Sequence, residues 1–165
     1  MLNTPLMLAF PVSPALSVKR DQYAGDYLLD IQRAARRNDT AAVHDRLHAV
    51  ERMRAISRPG ELSIYLVYQE AWLLLQVGDT AAATRQLDAS LTALPVLGPY
   101  LLDHVQDAAF LVRAMALRSD LAAKSGDQRT AQRWGAAVSD LWMRADAPLQ
   151  GEVARMRERA SGGVR

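Results

Sequence analysis

His44 and His48 stand one helical turn apart, and Glu51 follows on the same stripe. Two imidazoles and a carboxylate on one helix face can hold a divalent metal ion and acidify a water bound to it. On that reading the chain is a small metal-dependent enzyme working through His44 and His48. The set is incomplete, however. Where a zinc-protease helix has Glu beside its first His, this chain has Asp45, and spacing supplies no third ligand. The same residues flank the apolar positions Val43, Leu47 and Val50, so they also read as ordinary polar residues facing water. Asp103, His104 and Asp107 form a second cluster, at the start of an apolar-periodic segment where carboxylates suit the positive end of a helix dipole. No Ser is recognisably placed beside that histidine, and Cys is absent from the chain. The glycines form no phosphate-cradling loop. The expectation is a protein with no catalytic residue, no metal site and no cofactor.

Binding chemistry is better represented. Arg33, Arg36 and Arg37, followed by Arg46, Arg52, Arg54 and Arg58, make the first part of the chain basic. Net charge is +3 over residues 1–58 (nine basic, six acidic), −5 over 59–111 (one and six) and +4 over 112–165 (ten and six). The six acids interleaved through residues 1–58, no aromatic stacking residue between Arg33 and Arg58, and no clear excess of charge argue against nucleic acid. An anionic protein or lipid headgroup surface suits the patch better. Trp72, Trp134 and Trp142 have the residue type of interface anchors, but their helical spacing places them first in a core.

The first 20 residues are apolar, carry no charge before Lys19 and are interrupted by Pro5, Pro11 and Pro14. A secretory signal wants a basic start and an unbroken apolar run, so this reads instead as an extended arm. Leu6, Met7, Leu8, Phe10 and Val12 are its candidate contacts, alongside Arg33, Arg36 and Arg37.

The elements that would position these residues are helical. Apolar positions recur at helical spacing through 21–37, on to about Ser57, through Leu62–Val77, from Ala83 to Leu94, from Leu101 to Ala123, and from Ala131 to Trp142. Pro59-Gly60 and the stretch from Pro95 to Pro99 are breaks. Asp146-Ala147-Pro148 opens a last, polar helix over 148–160. The Leu62–Val77 segment is apolar almost all round, which predicts burial on most sides. With an internal Glu70 it is too short and too charged to span a membrane. One domain over 21–160, with an arm before it and a tail at 161–165, accounts for the length.

Between the paired segments one turn recurs: Asn38-Asp39-Thr40, Gly78-Asp79-Thr80 and Gly126-Asp127-Gln128. Gly accepts the left-handed conformation that closes a helix, and Asp caps the start of the next. Four residues beyond each Asp stand Val43, Ala83 and Ala131, slim enough for two helices to approach closely. At this point the chain resembles the tetratricopeptide-repeat family. In the second hairpin Ala71, Ala83, Leu87 and Pro95 fall on that family's small, second small, large apolar and closing proline positions. The third keeps Ser119 and Ala131 but has Gly135 at the large apolar position; the first keeps the turn and the apolar pattern. The resemblance covers about residues 21–145. Turn spacings of 40 and 48 residues exceed the repeat's usual period of about 34, so an irregular stack is expected.

The expected fold is therefore all-α: three tetratricopeptide-like hairpins, six helices, and a C-terminal capping helix. The resemblance implies a non-catalytic scaffold for protein–protein interaction, an accessory or stabilising subunit of a larger assembly. Membrane-extrinsic subunits that brace bacterial reaction-centre and light-harvesting complexes are one such class. A free adaptor binding a peptide in its groove is the alternative within the same class. The location expected is cytoplasmic or peripheral to a membrane, with the periplasm left open.

Overall fold

Residues 22–54, 63–97 and 105–162 are described by the structure, a computed structural model, and they hold helices and no strand. Seven main helices follow in order: α1 Gln22–Arg36, α2 Thr40–Arg54, α3 Ile64–Gln76, α4 Thr80–Thr92, α5 Val105–Ser125, α6 Gln128–Leu141 and α7 Gln150–Ala160. The fold class is all-α. Leu6, Met7, Leu8, Phe10 and Val12 of the arm, the Pro59-Gly60 break, and Asp103 with His104 lie outside the described residues.

The three turns are built alike. Asn38 (φ 57°), Gly78 (83°) and Gly126 (83°) take the left-handed conformation. The amide of the next residue donates back across the turn, from Asp39 to the Ala34 carbonyl (3.0 Å), from Asp79 to Leu74 (2.9 Å) and from Asp127 to Ala122 (2.9 Å). Each aspartate Oδ1 then accepts an N–H from the following helix, that of Ala42 (3.0 Å), Ala82 (2.8 Å) or Thr130 (3.1 Å). Helix closure and helix start are thus satisfied within three residues, which holds each pair of helices antiparallel.

A methyl group at Gly78 or Gly126 would meet nothing within 4 Å. The cost of Gly78→Ala or Gly126→Ala is then purely conformational, about 1–2 kcal/mol. Each should lower the thermal midpoint by about 2–4 °C per kcal/mol, whereas Asn38→Gly should leave it unchanged or raise it; circular dichroism melts check all three.

Packing follows from these turns. Val43, Ala83 and Ala131 are fully buried at the hairpin crossings. The first helices of the hairpins touch in series, α1 with α3 and α3 with α5, and α7 lies on α6. One apolar cluster runs through the stack and includes Ile31, Ile64, Leu87, Val138 and Met156. α3, at its centre, buries Ile64, Val67, Tyr68, Ala71, Leu73 and Leu74.

Two boundaries differ from the sequence reading. Pro95 does not open a loop: it sits inside a single helical turn, Leu94–Leu97, in the first-turn position where a missing N–H costs nothing. Pro148 likewise lies in a 3₁₀ turn, Ala147–Leu149, so the last helix starts two residues later than expected.

Asp107 also does more than favour its own helix dipole. Its Oδ1 accepts the Ser63 hydroxyl (3.0 Å) and the Tyr65 amide (3.2 Å), so it caps the start of α3 from another hairpin. Part of the charge asymmetry along the chain is consumed in the same way. Arg118 of α5 grips Asp88 of α4 through two hydrogen bonds of 2.6 and 3.1 Å.

Candidate functional site

A groove of about 550 Å³ opens between α2 and α4, with α3 beneath. Its floor is apolar, from Leu47 of α2, Val67 and Leu74 of α3, and Ala82 and Ala89 of α4. Its rim is polar: His44, His48 and Glu51 from α2, Arg85 and Gln86 from α4. The helical period explains this division. Val43, Leu47 and Val50 turn one stripe of α2 into the core, which leaves the adjoining stripe with both histidines at the groove edge.

The two histidines do not converge on one point. His44 Nε2 lies 3.1 Å from Asp79 Oδ2, tying the first hairpin to the capping aspartate of the second. His48 Nδ1 lies 3.1 Å from Glu51 Oε2 on its own helix. Their ring centroids are 6.3 Å apart. Among the described residues no group of three or more His, Asp or Glu side chains is disposed to hold a metal ion.

Gln86 marks a residue whose setting the sequence did not disclose. Its amide donates to Glu70 Oε2, and Glu70, on the central helix, is only 1% exposed. In the sequence Glu70 reads only as an interruption of an otherwise apolar helix. In the fold it links α3 to α4 directly behind the groove.

Arg33, Arg36 and Arg37 are exposed at the C-terminal end of α1, where positive charge suits the helix dipole. Arg33 pairs with Asp30 at 3.1 Å. Arg33, Arg36 and Arg37 thus stand outside the groove. Trp134 is buried under the Arg133 guanidinium, which lies 4.8 Å from its ring centroid. Trp72 and Trp142 are partly buried against the core. Leu29, Leu141 and Met143 are the large apolar side chains that stay at least half exposed among the described residues.

At the far end of the stack, Asp120 of α5 receives hydrogen bonds from Arg155 (Nη2 to Oδ2, 3.1 Å) and Arg159 of α7. Glu152 takes Arg155 from the other side, with Nε to Oε2 at 3.0 Å. Burial alone would raise the Asp120 carboxyl, but the hydrogen bonds and charge of the two arginines outweigh it and hold the group below its usual range.

No helix among the described residues is long and apolar enough to cross a membrane. No protein-family description, curated protein or solved structure matches the chain.

Proposed function

We propose that this chain is a non-catalytic scaffold for protein–protein interaction, an accessory or stabilising subunit of a larger assembly, built on tetratricopeptide-like hairpins. The observation that carries this reading is the threefold turn. The same turn bonds recur at Asn38, Gly78 and Gly126, and hairpins stacked in this way would present extended surface at low conformational cost on binding. The open groove between α2 and α4 is a ready docking surface, with His44 and Gln86 on its rim tied to neighbouring elements.

The arm of residues 1–20 extends the binding surface. Leu6, Met7, Leu8, Phe10 and Val12 each contribute about 1.5–3 kcal/mol if a partner covers them fully. Arg33, Arg36 and Arg37 add an attraction to anionic surface that weakens with salt.

Deleting residues 1–18 from the tagged chain in its native cells tests the arm. The expected result is loss of co-migration with a large complex on native gels. Unchanged co-migration would show that the arm makes no such contact.

A further inference from the structure

We propose that the groove between α2 and α4 receives an internal peptide segment of a partner protein that presents a carboxylate beside one large apolar side chain. This rests on the scaffold reading above and specifies the chemistry of its ligand. Charge decides the ligand's sign. Every carboxylate at the groove already has a partner: Glu51 has His48, Asp79 has His44 and the Ala82 amide, and Glu70 behind the rim has Gln86. Arg85 is different. It is exposed at the rim, and among the described residues it makes no ion pair or hydrogen bond.

An unpaired cation therefore overlooks an apolar floor of Leu47, Val67 and Leu74 with no anion of the described chain left to meet it. A guanidinium prefers a planar carboxylate, to which it can donate two parallel N–H bonds, and beside an apolar surface that contact is less screened than in open water. The floor takes the apolar neighbour. A basic segment would set its charge against Arg85 and find the groove carboxylates already engaged.

Selection of random peptides displayed on phage, against the purified full chain, tests this. The expected outcome is enrichment of peptides that combine Asp or Glu with a large apolar residue. Fluorescence anisotropy of a selected peptide should then show binding weakened about tenfold by Arg85→Glu, because reversal turns attraction into repulsion. Arg85 is exposed, so the variant should melt with the wild type, which the same preparation verifies. Enrichment of basic peptides, binding indifferent to Arg85→Glu, or no enrichment each overturns the proposal. Two further outcomes name other occupants and also overturn it: enrichment only after residues 1–20 are deleted assigns the groove to the chain's own arm, and dimerisation abolished by Arg85→Glu assigns it to a second copy. Selected peptides that bind away from the groove would leave the scaffold reading standing while this one fails.

Discussion

Gly135→Leu should release α7 from the stack and cost about 3–6 kcal/mol, the burial of two core side chains. A Cβ at this position would lie 2.9 Å from the Met156 carbonyl oxygen, 3.4 Å from the Ala160 nitrogen and 3.5 Å from Arg159 Cβ. The closest two are backbone atoms of α7, so no side-chain rotation relieves the contact and the whole helix must move. Moving it uncovers Val153 and Met156, now 1% and 0% exposed. Gly135→Ala is the sharper comparison. In an exposed helix the change would stabilise by about 1 kcal/mol, whereas overpacking against backbone costs about 1–3 kcal/mol. A urea titration should therefore find Gly135→Ala neutral or destabilised, and a gain of the full propensity value would contradict the close crossing of α6 and α7.

Asp120→Ala should cost about 1–3 kcal/mol. Removing one partner of a fully buried pair costs about 3–5 kcal/mol, and the loss is smaller here because the partners are not sealed from water. The Asp120 side chain is 27% exposed, with Arg155 at 39% and Arg159 at 21%. The same group gives a pH signature of definite sign. Asp120 is held below its usual carboxyl range in the folded protein, so its contribution is fully present above the unfolded value near pH 4 and is lost as pH falls through the folded one. Thermal midpoints of the wild type should fall more steeply below about pH 4 than those of Asp120→Asn. Parallel acid profiles would show that the two arginines do not depend on this carboxylate.

Gly135 also shows where pattern stops being informative. The three turns were legible because their chemistry is local: a residue tolerant of positive φ, then a capping aspartate, within three positions. The slim residues at Val43, Ala83 and Ala131 follow from the turns by counting. Gly135 stands where another helix crosses, and that helix lies about twenty residues further along the chain. Nothing near position 135 announces it. Asp107 is similar: its position predicts service to its own helix, yet the groups it caps, Ser63 and Tyr65, are more than forty residues away. For the candidate site, the stripe of His44, His48 and Glu51 was visible as a stripe. Its meaning was not, since Asp79, Arg85 and Gln86 reach it only once the second hairpin is stacked on the first. Glu70 could have been flagged by one signal, a single charge on a helix otherwise apolar all round, which needs a partner if buried.

If the stack works by docking a partner in the groove between α2 and α4, blocking that groove should free the chain from its assembly. Ala89→Arg fills it from an exposed position on α4 without touching the core. The measurement is the apparent mass, by gel filtration of native cell extract, of the tagged wild-type chain against this variant. The wild type should elute within a large assembly, and Ala89→Arg, folded by its melting curve, should elute at the mass of the chain alone. Both chains eluting in the same assembly would contradict docking in the groove, as would a wild type that elutes alone.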